Sequence, residues 1–195
     1  MEQLSWRIEG YLLQAARNCP SPNCDQRPDP DDLSLLVIHG ISLPPNQFGS
    51  SHIDELFLNQ LDPHEDPYFA TIQHLRVSTH LLIRRDGELV QYVPFDKRAW
   101  HAGVSSFEGR ETCNDYSIGI ELEGADDIAY SEEQYHQLIK VTKTLMAHYP
   151  KLTPQRIAGH CHIAPGRKTD PGGSFDWHRY YLGLKAQVPP HISDS

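Results

Sequence analysis

Hydrophobic residues change their spacing along the chain, and each spacing predicts an element. Leu33–Ile38 is a short, nearly continuous apolar run that reads as a buried strand ending at His39-Gly40. Ile53, Leu56, Phe57 and Leu61 have helical spacing behind Ser51, with Asp54 as a weak capping partner and Pro63 as the stop. Apolar and β-branched residues at 78–83 and 88–93 flank Arg85-Asp86-Gly87, which predicts a hairpin. Tyr116–Leu122 reads as another strand. Ser131-Glu132-Glu133-Gln134 forms a capping box ahead of Leu138, Ile139, Leu145 and Met146, so a helix runs to Tyr149 and stops at Pro150. A helical turn leads into a strand over Pro154–Gly159. Residues 160–173, rich in Pro and Gly, form a loop, and a last short helix starts near Asp176. Interleaved strands and helices with one hairpin predict an α+β fold, a mixed β-sheet flanked by helices.

A chain of 195 residues suits one domain, here 1–195. Pro20, Pro22, Pro28 and Pro30 make 18–32 an irregular arm, and 186–195 reads as a flexible tail. The longest stretch without charge, Leu33–Ile53, is broken by Gly40, Pro44, Pro45 and Gly49, which excludes a membrane span. Seventeen basic against 26 acidic residues leave a net charge of −9, which argues against nucleic acid and anionic membranes as partners. Met1–Gly10 carries Glu2 and Glu9 and lacks a basic segment followed by an apolar run, so the expectation is a cytoplasmic chain. Its cysteines at 19, 24, 113 and 161 are then reduced thiols.

Among 12 histidines, position selects the interesting ones. His39 follows one apolar strand, His160 follows Ile157-Ala158-Gly159, and Asp170 lies between Thr169 and Pro171. Two imidazoles and a carboxylate suit Zn2+ and leave a fourth position open. Spacing does not select this triad over other His, Asp and Glu combinations, and a lone histidine at a strand end is commonly structural. Alternation in Ile118-Gly119-Ile120-Glu121-Leu122-Glu123 puts Glu121 and Glu123 on one face. An acid in an apolar strand needs a partner unless that face meets water. Lys168, beside Arg167, is either part of a solvated turn or, near a metal, a donor to a developing oxyanion. Cys161 beside His160 invites a thiol-hydrolase reading, although neighbours on an extended chain point to opposite faces.

Several long blocks resemble the 1,6-anhydro-N-acetylmuramyl-L-alanine amidases of the AmpD type, related to peptidoglycan-recognition proteins. They are Leu36–His39 with Ile41–Pro45 and Gln47–Gly49, then His80–Gly87, Val90–Gly103, Tyr116–Gly124, Gly159–His160 with Ala164–Gly172, and Phe175–Trp177. Together they span roughly residues 5–185. The resemblance implies zinc in a surface groove, held by His39, His160 and Asp170. It implies Glu121 as the catalytic carboxylate, Lys168 as the cationic stabiliser, and Arg76, Trp100 and His101 as contacts to an anhydromuropeptide. It further implies cleavage of the amide between the muramic acid lactyl group and L-alanine by a monomeric enzyme of peptidoglycan recycling, with an influence on β-lactamase induction. Gly40, Thr112 and His162 depart from the family pattern, which carries Asn, Arg and Asp there. Alternatives are a non-catalytic binding module, an amidase of polymeric wall, and a Cys161 thiol hydrolase.

Overall fold

A computed structural model describes residues 6–193; the readings that touch 1–5 and 194–195 lie outside the described residues. Six strands form the main sheet: β1 (Arg17–Asn18), β2 (Leu35–Ile41), β3 (Leu81–Ile83), β4 (Leu89–Gln91), β5 (Ser117–Glu123) and β6 (Ile157–Gly159). Their order is β6-β2-β5-β3-β4-β1, parallel except for the β3–β4 hairpin. Among the described residues six α-helices accompany the sheet: α1 (His52–Phe57), α2 (Pro67–Ile72), α3 (Glu132–His148), α4 (His160–Ile163), α5 (Trp177–Leu184) and α6 (Pro190–Ser193). The α+β expectation of a mixed sheet with flanking helices holds. No helix of the described residues is long and apolar enough to cross a membrane.

The two faces of the sheet differ because strand side chains alternate. Leu36, Ile38, Ile118, Ile120 and Leu122 face one way and pack with Leu138, Val141 and Leu145 of α3 and Tyr180 and Tyr181 of α5. The opposite face carries two smaller apolar clusters. One joins Leu82, Val90 and Tyr92 to Ile53, Leu56, Phe57 and Phe69 of α1 and α2. The other joins Leu35, Val37 and Ala158 to Ala102, Phe107 and Ile163. His39 and Glu121 belong to this second face by strand parity.

The α3 capping box forms as read: Ser131 Oγ accepts from Gln134 N–H at 3.1 Å, and Gln134 Oε1 accepts from Ser131 N–H at 3.0 Å. The hairpin forms too, with Gly87 at φ +88° in its turn. Other expectations are corrected. His39 lies within β2, which continues to Ile41, instead of following the strand. Helix α1 stops at Phe57 because Ser21 Oγ donates to the Phe57 carbonyl at 2.6 Å and Asn59 turns left-handed at φ +60°. Ser51 bonds the Glu55 carboxylate instead of capping, while Asp54 is drawn to Arg84, Arg17 and Tyr92. Helix α2 was missed, although Asp66-Pro67 is a standard start: Asp66 accepts from Tyr68 N–H at 2.8 Å. The 160–173 loop opens with the single turn α4. Residues 186–193 are no loose tail: Ile192 is buried in the core and His191 Nε2 donates to the Ile157 carbonyl at 2.8 Å.

The arm at 18–32 is likewise anchored. Arg27 is 5 % exposed and donates to the carbonyls of Phe95, Asn114, Asp115 and Ser117 at 2.7–3.1 Å. Burial pushes its guanidinium down to about 10, so it remains charged at neutral pH. Arg27→Met leaves those carbonyls unpaired, and we expect a loss of about 3 kcal/mol, or a Tm fall of roughly 6–12 °C. Urea and thermal denaturation measure it.

Candidate active site

Parallel pairing sets His39 of β2 opposite Glu121 of β5, and Ile38 opposite Gly159 of β6. His160, one residue past Gly159, therefore reaches the level of His39. The site lies near the carboxyl ends of the parallel strands, where crossover loops leave room for a ligand. The loop after α4 returns to bring in Asp170, whose carbonyl accepts from Cys161 N–H at 2.9 Å.

His39 Nδ1, His160 Nδ1 and Asp170 Oδ2 form a triangle with sides of 3.0, 3.1 and 3.2 Å. A tetrahedral zinc site with ligands at ~2.0 Å has edges of about 3.3 Å. The chemistry of the donors fits as well. His160 Nε2 faces the Ala102 carbonyl at 3.1 Å, which can only accept, so the proton sits on Nε2 and the Nδ1 lone pair points into the triangle. Burial pushes His39 down to about 4, which keeps it neutral. Burial would raise Asp170, but its close contacts with His160 and His39 outweigh it and hold the carboxyl well below the usual range. Neutral imidazoles and an ionised carboxylate are the states a divalent cation requires.

Glu121 stands beside the triangle, its Oε1 4.0 Å from His39 Nδ1. Its side chain is 12 % exposed, and Oε2 is enclosed without a hydrogen-bond partner among the described residues. Burial and the neighbouring Asp170 charge raise its pKa well above the usual value, against an opposing pull from Lys168. A solvent-facing role for Glu121 is thereby excluded. Glu121, His160 and Asp170 floor a groove of about 270 Å³ whose walls include Leu43, Tyr68, Ile72, Leu75 and Trp100, with Lys168 on its lining and His39 buried beneath it.

The remaining predicted residues fall in different places. Trp100 reaches the wall, with its indole N–H on Asp25 at 3.3 Å. His101 touches the groove, but Nδ1 meets His39 Nε2 at 2.9 Å and Nε2 meets Ser117 Oγ at 3.1 Å, so both ring nitrogens are engaged by protein. Arg76 does not line the groove; exposed, it donates to the Gln73 and Leu75 carbonyls. Tyr68, Ile72 and Leu75 were missed along with α2. Tyr130 was missed too, and it explains Gly40: a Cβ there would lie 2.4 Å from the Tyr130 hydroxyl, which is fixed on the Pro171 carbonyl at 2.8 Å. Thr112 borders a separate cavity of about 610 Å³ beside Val104 and Arg167. His162 turns away from the triangle, accepting from Gly159 N–H at 2.8 Å and packing on Trp177. Burial pushes the Cys161 thiol up, the wrong direction for a nucleophile.

The chain matches the N-acetylmuramoyl-L-alanine amidase family over residues 29–173. It is 63 % identical to the 1,6-anhydro-N-acetylmuramyl-L-alanine amidase AmpD of Citrobacter freundii, over 88 % of this chain and 91 % of that one. The crystal structure of a selenomethionine AmpD derivative superposes with a TM-score of 0.88 at 60 % identity, covering 91 % of this chain and 98 % of the other. AmpDh3 of Pseudomonas aeruginosa, solved in complex with anhydromuramic pentapeptide, gives 0.61 at 27 % identity over 80 % and 61 %.

The Glu121 environment has a measurable signature. Between the ordinary carboxylate value of 4.5 and its own raised pKa, the folded chain holds a proton that the unfolded chain has released. Its contribution to stability is thus complete below about pH 4.5 and declines as pH rises. In chelator-treated protein, Glu121→Gln should lose less melting temperature than wild type as pH rises above about 5. Parallel slopes in thermal melts would contradict this.

Proposed function

The chain belongs to the N-acetylmuramoyl-L-alanine amidase family, and from that premise we propose that it is a zinc-dependent amidase. Its proposed substrate is an anhydromuropeptide, cut between the lactyl carbonyl of 1,6-anhydro-N-acetylmuramic acid and the amino group of L-alanine. The observation that carries the reading is the convergence of three lone-pair donors beside an unpartnered buried carboxylate on the floor of one groove.

His39, His160 and Asp170 are the residues that would hold zinc. When bound there, the metal would supply Lewis-acid polarisation of the carbonyl and lower the pKa of water toward ~7. Glu121 takes a proton from the attacking water, and the burial and neighbouring Asp170 charge that raise its pKa above the usual value make it a stronger base. It then delivers that proton to the departing nitrogen as the carbon–nitrogen bond breaks. Water thus adds a hydroxyl to the lactyl carbon, and L-alanine leaves as an amine. The Lys168 ammonium faces the same floor and favours charge developing on the carbonyl oxygen. Trp100 and Tyr68 offer walls to the sugar and the peptide, and Arg76 beyond the rim is the cation for the peptide's carboxylates. The expectation of a monomeric cytoplasmic enzyme of wall recycling, with an effect on β-lactamase induction, rests on family resemblance.

Incubation with anhydro-N-acetylmuramyl tripeptide, read by mass spectrometry, tests the reading. Free tripeptide should appear, cease with a strong chelator and return on zinc addition. Glu121→Ala should retain zinc while kcat falls about 10²–10⁴-fold, and His39→Ala should lose the metal by elemental analysis. Release that persists in chelator would sink the zinc dependence. A zinc-loaded protein that releases nothing would point to a binding module or to an amidase of larger wall fragments.

A further inference from the structure

We infer that His101 is a positioning residue for the metal centre: its Nδ1 accepts the Nε2–H of His39 and so holds the His39 Nδ1 lone pair on the zinc. The inference rests on the zinc-amidase reading and assigns His101 a role different from substrate contact.

The hydrogen bonds run in one direction. His39 Nδ1 faces His160 and Asp170, so the His39 proton must lie on Nε2 if Nδ1 is to ligate. Nε2 is 2.9 Å from His101 Nδ1, which then accepts and leaves the His101 proton on Nε2, 3.1 Å from Ser117 Oγ. An imidazole free to flip its ring or change its tautomer would at times present a proton to the metal; a fixed acceptor on the far nitrogen removes that freedom.

The fold builds a socket for this ring. Ser117, Gly119 and Glu121 share one face of β5, opposite Leu35, Val37 and His39. Ser117 supplies the outer hydrogen bond and Glu121 flanks the metal triangle. Gly119, between them, leaves the space in which the ring lies: a Cβ there would sit 2.6 Å from His101 Cγ. The main chain is pinned as well, since Asn114 Oδ1 accepts from the N–H groups of both His101 and Ala102 at 3.2 and 2.9 Å. Ala102 then offers its carbonyl to His160 Nε2 at 3.1 Å, steadied by Arg167 at 2.8 Å. One dipeptide thus presents an acceptor to each ligating imidazole, by side chain to His39 and by main chain to His160.

Zinc affinity of the full chain, measured by competition with a chromophoric chelator, tests this apart from turnover. Wild type is measured first; failure to bind zinc would remove the metal reading and this inference with it. Given binding, His101→Leu should weaken zinc affinity about 10–100-fold. His101→Asn, whose Oδ1 falls near the place of Nδ1, should recover most of that loss. A folded His101→Leu protein with wild-type zinc affinity and a raised KM would overturn the proposal and return His101 to substrate binding. The wild-type zinc protein supplies a second test that holds even if the leucine variant does not fold. Its imidazole ¹⁵N spectrum should show His39 protonated on Nε2 with slow proton exchange, and a His39 protonated on Nδ1 would refute the assignment.

Discussion

The pairing register between β2 and β5 is the constraint on which the rest depends. Leu35 lies opposite Ser117, Val37 opposite Gly119 and His39 opposite Glu121. A slip of one residue in either strand would turn His39 or Glu121 toward α3 and α5, into the layer now filled by Ile38, Ile120, Leu138 and Val141. Burying a charged or hydrogen-bonding group there would cost several kcal/mol. The apolar face therefore enforces the register, and the register assembles the polar face. Stability and chemistry are properties of the same two strands, read from opposite sides.

The polar face is held in a state that is unfavourable without a ligand. Three acceptor atoms meet within 3.2 Å of one another, and a carboxylate oxygen beside them has no hydrogen-bond partner among the described residues. Such an arrangement persists because the surroundings over-determine it. The apolar clusters around Leu82, Val90 and Phe57 and around Leu35, Val37 and Ile163 close on either side. Behind the imidazoles, His101 and Ala102 take up the far nitrogens. The groove is thus left with little freedom to relax by collapse, and its preorganisation is what electrostatic catalysis needs.

Gly40, Thr112 and His162, singled out by the resemblance, have surroundings intelligible in the same terms. Gly40 accompanies a tyrosine whose hydroxyl occupies the volume a side chain would need, so Gly40 and the contact between Tyr130 and Pro171 form one packing unit. His162 has found a structural use against Trp177 and Gly159. Thr112 lies beside Val104 and Arg167 on a different cavity from the His39–His160–Asp170 triangle.

Some of this was legible in the residues alone, because it obeys a local period. The Ser131–Gln134 box and the spacing of Leu138 and Leu145 mark α3; alternation in 118–123 assigns Glu121 its face; Asp86-Gly87 marks the hairpin. The start of α2 at Asp66-Pro67 was equally local and was overlooked. Other features have no local mark. Helix α1 ends where Ser21, 36 residues earlier, reaches the Phe57 carbonyl, and the C-terminal segment docks because Ile157 offers an acceptor. The choice of His39, His160 and Asp170 among the acids and histidines was suggested by resemblance, but their meeting is a tertiary event. So is the placing of the His101 ring against the far nitrogen of His39. Periodicity reports which way a side chain points from its own strand or helix. Which groups then share a point in space is decided only when strands distant in the chain pair in register and leave room, as at Gly119, for the ring between them.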